Sequence, residues 1–215
     1  MNDSEISKLL AQYPCTRLSP TTAITCPARL SWIALAKPIG SKTKPEDLRY
    51  RATLLFHPSS DLTELKKLAQ DAAVDKWKDK LQEIVARCDG RGNPIFKKPL
   101  LMQDFRAGKV DGYAVGGWLC NVATKRAPVI VDGSMNVMNP ADTAAVYSGM
   151  WARVKLSVRA YDKEGCGVIF DLEAIQKVAD DNAFGGSGAG NADGFTAIAG
   201  AKPSAAATQS ASSLF

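Results

Sequence analysis

Histidine is almost absent from this sequence: His57 is the sole imidazole in 215 residues. The five cysteines, Cys15, Cys26, Cys88, Cys120 and Cys166, form no C-x-x-C pair. A structural zinc site needs a dense cluster of such ligands, and an odd count fits no closed disulfide framework. Reduced, mostly buried thiols are expected instead. No G-x-x-x-x-G-K-[ST] phosphate loop occurs. Hydrolytic or transfer chemistry wants a base beside a nucleophile or a metal cluster. One histidine at the end of a strand, just before Pro58, supplies neither, so an enzyme is not expected and no cofactor is implied. The sequence also lacks any run of about 18 apolar residues, which excludes a helical membrane span. Near Met1 there is no basic segment leading into an apolar one, so no signal peptide is expected.

What is present is an ordinary globular balance, 46% hydrophobic and 23% charged, enough for one domain with a sizeable core plus a tail. The formal net charge is +5, unevenly spread: Asp180, Asp181, Asp193 and Lys202 give −2, which leaves +7 for residues 1–179. A basic body favours polyanionic partners. From Gly185 the sequence turns to Gly, Ala and Ser and ends in Leu214 and Phe215. Such a segment buries too little apolar area to offset ordering entropy, so disorder is expected there. G-G-S-G-A-G at 185–190 lacks the strand–turn–helix setting of a phosphate loop and reads as a linker.

The most informative segment is W-A-R-V-K-L-S-V-R-A-Y, residues 151–161, which alternates with period two. Ala152, Val154, Leu156, Val158 and Ala160 point one way; Trp151, Arg153, Lys155, Ser157, Arg159 and Tyr161 point the other. One face belongs to a core. The other carries three cations bracketed by two aromatics, the elements of a platform for single-stranded nucleic acid. An ordinary solvated sheet face would read the same way. Residues 49–56 repeat the pattern, with Tyr50, Ala52, Leu54 and Phe56 inward and Arg49, Arg51 and Thr53 outward.

Elsewhere a short helix is expected over Ser4–Gln12, ended by Pro14. A strand is expected within Ala23–Leu35, with Ala28, Leu30, Trp32 and Ala34 on one face. Asp61–Ala86 has apolar residues at helical spacing; Asp61 and Glu64 form a capping-box pattern, and Trp77 is expected in the core. Cys88–Gly112 reads as a long excursion, and Tyr113–Ala123 as a strand with a bulge or bend at Gly116–Gly117. A turn at Asp162–Gly165 leads into a returning strand, Gly167–Leu172, and Glu173–Val178 is expected to close as a helical turn.

In order along the sequence, A-R-L-S-W (28–32), R-Y-R-A-T-L-L-F-H-P (49–58), A-P-V-I-V-D (127–132), Y-S-G-M-W-A-R-V-K-L-S-V-R-A-Y (147–161) and G-V-I-F-D-L-E-A-I-Q-K-V (167–178) resemble the bacteriophage single-stranded-DNA-binding proteins that have an OB fold. The resemblance implies a mainly β (α+β) protein: a five-stranded OB-fold barrel with an inserted helix over residues 22–180, an N-terminal extension over 1–21 and a disordered tail over 181–215. It implies sequence-independent binding of single-stranded DNA in phage replication or recombination, in the cytoplasm of an infected bacterium. Partners through the tail would be phage or host replication proteins. The family's tails commonly are strongly acidic before a terminal aromatic; here Phe215 follows Ser and Ala, which puts that recruitment in doubt.

On this reading Trp151 and Tyr161 stack on bases, while Arg153, Lys155 and Arg159 neutralise phosphates. Arg49 and Arg51 join them if the two strands are neighbours, and Lys125 and Arg126 clamp the backbone at a strand end. Trp118 and Tyr147 are secondary candidates, equally readable as core. The alternatives are a structural β-barrel protein of the virion and an RNA-binding protein, because stacking and phosphate contacts do not distinguish the two sugars.

Overall fold

The computed structural model describes residues 1–89, 91–163 and 165–185. The Gly/Ala/Ser-rich tail therefore lies, from residue 186, outside the described residues. Five strands form a ring: β1 (Ala28–Ile39), β2 (Arg49–Phe56), β3 (Trp118–Thr124), β4 (Trp151–Tyr161) and β5 (Cys166–Ala179). β1 pairs with β2, β2 with β3, β3 with β5, β5 with β4, and β4 with β1. Every pairing is antiparallel except β3 with β5, which is parallel and held by one partner pair, Asp171 with Ala123. This is the expected five-stranded barrel, partly open at one seam. Short segments extend β5 beside the seam: Phe96–Lys97 and Val129–Val131 both run parallel to it.

The inward residues are those that alternation selects. Ala152, Val154 and Leu156 of β4 have no solvent exposure, and Ala52, Leu54 and Phe56 of β2 meet them in the same core with Cys120, Val122, Phe170, Leu172 and Ile175. One end of this core is closed by α2 (Thr63–Trp77), whose Leu65, Leu68, Ala69, Ala73 and Trp77 are buried in it. Each fully buried leucine contributes about 1.5–3 kcal/mol, which holds an otherwise charge-rich helix in place.

The inserted helix is broken where continuity to Ala86 was expected. Lys78 adopts φ +47°, a 3-10 turn covers Lys78–Lys80, and α3 resumes over Leu81–Ala86. Asp61 Oδ1 accepts the Thr63 N–H at 2.9 Å, but the N-cap is Leu62 and no capping box forms. The N-terminal helix, α1, spans Asp3–Gln12 and has its own capping box, made by Asn2 and Glu5. Glu173–Val178 is strand, not helix. Its good helix formers are overridden by the long ladder with β4, which absorbs the mismatch in a bulge between Leu172 and Ala174. Gly116–Gly117 precede β3 rather than bulging it. All five thiols are free, with Cys26, Cys120 and Cys166 buried. No helix among the described residues is long and apolar enough to cross a membrane.

A buried side chain anchors the excursion between the helices and β3. Gln103 is 1% exposed. Its amide nitrogen donates to Phe56 O at 3.0 Å and Trp118 O at 2.6 Å, and its Oε1 accepts the Ala114 N–H at 2.8 Å. It thus joins the end of β2, the start of β3 and the loop between them. A Cβ on Gly117 would stand 2.8 Å from the Gln103 Cδ, so that position has room only for glycine. Replacing Gln103 by leucine strands two carbonyls and an N–H in a dry site. At about 1–3 kcal/mol for a buried unsatisfied group, the loss of stability is expected to be about 3 kcal/mol, read as a lowered urea midpoint with unchanged slope.

Candidate nucleic-acid interface

The outer wall of the barrel is shared among covered and open regions. Across β1, β2 and β3 the outward residues fall in rows. Arg29, Leu55 and Leu119 form the first, Ser31, Thr53 and Asn121 the second, and Ala34, Arg51 and Ala123 the third. The first row is covered: Tyr113, Val110 and Phe184 pack on Leu55 and Leu119, and the Arg29 guanidinium lies 4.0 Å from the centre of the Phe184 ring. In the second row the Thr53 hydroxyl donates to Asn121 Oδ1 at 2.7 Å, which leaves the exposed Asn121 amide its NH₂ to offer outward. In the third, small alanines flank Arg51, whose Nη2 donates to Ile39 O at 2.8 Å.

Past the third row the cations gather. Asp47 Oδ2 lies 2.8 Å from Arg49 and its Oδ1 lies 3.5 Å from Lys125, so one carboxylate holds the ends of β2 and β3 together. The Arg49 hydrogen bond keeps the Asp47 carboxyl below the usual carboxylate range, with the Lys125 charge adding to it. Arg126 is exposed and has no ion-pair partner among the described residues. Arg49, Arg51, Lys125 and Arg126 therefore meet at one end of an open three-stranded face.

The expected set on β4 does not join them. β1 stands between β2 and β4, so the two strands are not neighbours. Trp151 is 2% exposed and its indole N–H donates to Asp181 Oδ2 at 2.9 Å; it has no face for a base. Arg153 is half-buried with its guanidinium 5.1 Å from the centre of the Tyr13 ring, under the segment that follows the N-terminal helix. Lys155 pairs with Glu173 at 3.0 Å and Arg159 with Asp171 at 2.9 Å, both carboxylates from the adjoining β5. Tyr161 is half-buried, and burial pushes its hydroxyl pKa up. The β4 flank is thus a charge-paired and partly covered surface. Of the secondary candidates, Trp118 lies under the Lys66 ammonium at 4.2 Å, and the Tyr147 hydroxyl donates to Asp180 Oδ1 at 2.7 Å.

The Trp151 indole is bonded by Asp181, a residue that the expected domain bounds placed in the tail. Asp181, with its side chain 8% exposed, also receives the Met1 amine at 2.8 Å and lies 3.7 Å from Arg29. Burial pushes its carboxyl up, but the bonds from the amine, the Trp151 indole and the Asn182 N–H, with the Arg29 charge, outweigh that and hold it at about 2.

The residue that alternation missed is Trp32. Strand periodicity places it inward with Leu30. The β1–β2 ladder instead slips between Ser31 and Ala34, Trp32 takes φ +49°, and its ring is 65% exposed beside the open rows. A left-handed conformation in a non-glycine residue costs about 1–3 kcal/mol, held here by the ladder on either side. The signal was the run Trp32, Ile33, Ala34, Leu35: four apolar residues in succession cannot all face inward from a regular strand.

Comparison with known proteins follows the same lines. A family model described as Enterobacter phage Enc34, ssDNA-binding protein matches residues 21–205. The single-stranded DNA-binding protein from bacteriophage Enc34 in complex with ssDNA superposes with a TM-score of 0.54 at 18% identity, covering 81% of this chain and 99% of that one. Gp2.5, a single-stranded DNA binding protein encoded by bacteriophage T7, superposes with a TM-score of 0.53 at 14% identity, covering 82% and 98%. Protein p50 of Acyrthosiphon pisum secondary endosymbiont phage 1 is 28% identical over 151 residues, 68% of this chain and 78% of that protein. The structural likenesses carry the fold, and the family model carries the kinship.

Asp181 makes the barrel acid-sensitive in a defined window. Its folded pKa of about 2 lies below the ~3.9 of an unfolded aspartate. Its contribution is complete above pH ~4 and is lost as pH falls towards its folded pKa. Asp181→Asn is expected to be less stable than the parent at neutral pH, with the gap closing on acidification through that window, as read by thermal unfolding against pH.

Proposed function

The chain belongs to the Enterobacter phage Enc34 ssDNA-binding protein family, and on that footing we propose that it binds single-stranded DNA across the open face of β1, β2 and β3. The observation that carries the placement is the gathering of Arg49, Arg51, Lys125 and Arg126 at one end of that face. Phosphates exchange for Asp47 at Arg49 and Lys125, and meet Arg126 directly. Asn121 and Thr53 line the floor, and Trp32 offers a ring at the edge. Charge and π-faces dominate such contacts, so binding tolerates most sequences. Coating unpaired strands in this way protects and organises them during phage replication or recombination. Recruitment of replication proteins through the tail ending at Phe215 is a separate proposal on residues outside those described.

The family is described by binding, and the site has matching chemistry: donors and a ring, with no base–nucleophile pair among its described residues. Among the described residues no group of three or more His, Cys, Asp or Glu side chains is placed to hold a metal ion.

Titration with oligo-dT and duplex DNA at several salt concentrations tests the proposal. Four phosphates neutralised at about 0.7 each give an expected slope of log K against log salt of roughly −3. Arg51→Ala and Arg126→Ala each remove about 0.7 from that slope, whereas Arg159→Ala, whose partner is Asp171, leaves it unchanged. A flat salt response, or a loss confined to the β4 variant, moves the strand off this face. No binding to any polynucleotide leaves a structural barrel.

A further inference from the structure

Beside the open rows lies a cavity of about 180 Å³ lined by Ser31, Trp32, Val110, Asp111, Ser148 and Phe184. It is smaller than the roughly 300–1,000 Å³ pockets that enclose drug-sized ligands, so it suits one ring system. Two aromatic side chains border it. Trp32 is thrown outward by the bulge and is 65% exposed. Phe184 is pinned from behind by Arg29 at 4.0 Å and seated over Gly112, where a Cβ would stand 2.0 Å from its ring. The lining holds no cation. Its charged group is the exposed Asp111 carboxylate, accompanied by the Ser31 and Ser148 hydroxyls.

That chemistry rejects a phosphate and accepts a neutral ring that donates hydrogen bonds. Resting on the reading that the β1–β3 face carries single-stranded DNA, the geometry points to a nucleobase subsite: Trp32 stacks on one extruded base and Asp111 accepts from its exocyclic amino group. A carboxylate of this kind pairs with the N4 amino group of cytosine, while thymine turns the carbonyl O4 towards it. The protein thus superimposes a base preference at one position on otherwise tolerant binding.

Short oligo-dC and oligo-dT of equal length, titrated against the full chain with tryptophan fluorescence as readout, test this. Trp77 and Trp151 are buried at 8% and 2% exposure, and the half-buried Trp118 lies beneath the Lys66 ammonium and does not line the cavity, so the quenching that depends on Trp32 is isolated by comparing the parent with Trp32→Ala. The expected result is dC bound about fivefold or more tighter than dT, the lower end for one good base-edge contact. Asp111→Asn brings the ratio close to one; because removing a negative charge favours every polynucleotide alike, the ratio cancels that general effect. Trp32→Ala weakens both oligonucleotides and abolishes most of the quenching. Equal affinity for dC and dT, a ratio unmoved by Asp111→Asn, or quenching that survives Trp32→Ala overturns the subsite while leaving the DNA-binding reading standing. Binding to neither oligonucleotide overturns both.

Discussion

Closure of five strands into a ring is the constraint on which everything else rests. It commits each strand's inner residues to one shared core, and the ladder registers decide which outer residues share a side. Cations on β2 and β4 are kept apart because β4 pairs with β1 only at Ala28 and Arg29, while Arg51 and Arg49 lie opposite Ala34 and Ile39 at its other end. The outer wall therefore divides into an open face on β1 to β3 and a flank on β4 and β5, where each exposed cation finds a carboxylate across the ladder. Polarity alone does not tell these two surfaces apart; the register of the ladders does.

The open face owes its character to what covers its edges. Phe184 and the 103–117 loop roof the first row, and Asp47 restrains Arg49 and Lys125 at the far end. Such ion pairs at the protein surface are weak, so they orient the cations without withholding them from a stronger anion. The face is thereby pre-arranged at little energetic cost.

Much of the barrel was legible in the sequence. The alternation of residues 151–161 and 49–56 fixed which side chains enter the core, because period two follows directly from strand geometry. Arg49 and Arg51 were legible as outward cations for the same reason, and Lys125 and Arg126 by their place at a strand end. Trp151 was not, since its cover comes from Asp181, thirty residues away and recruited by a contact that no local pattern encodes. Trp32 was hidden by a one-residue slip in the ladder, which turns Ala34 outward beside Arg51 and Leu35 into the core. Glu173–Val178 misled through composition: local helix preference is a few tenths of a kcal/mol per residue, and a long ladder overrides it.

The buried Gln103 amide that anchors the loop after Leu100 separates two kinds of change open to this lineage. Residues 104 to 112 carry one wall of the ring-sized cavity, yet no barrel strand runs through them. Apart from Val110, which packs on Leu55 and Leu119, and Gly112, which leaves room for the Phe184 ring, their identities can change while Gln103 keeps both ends moored to β2 and β3. Related phages could in this way retune what the cavity receives without rebuilding the scaffold beneath it.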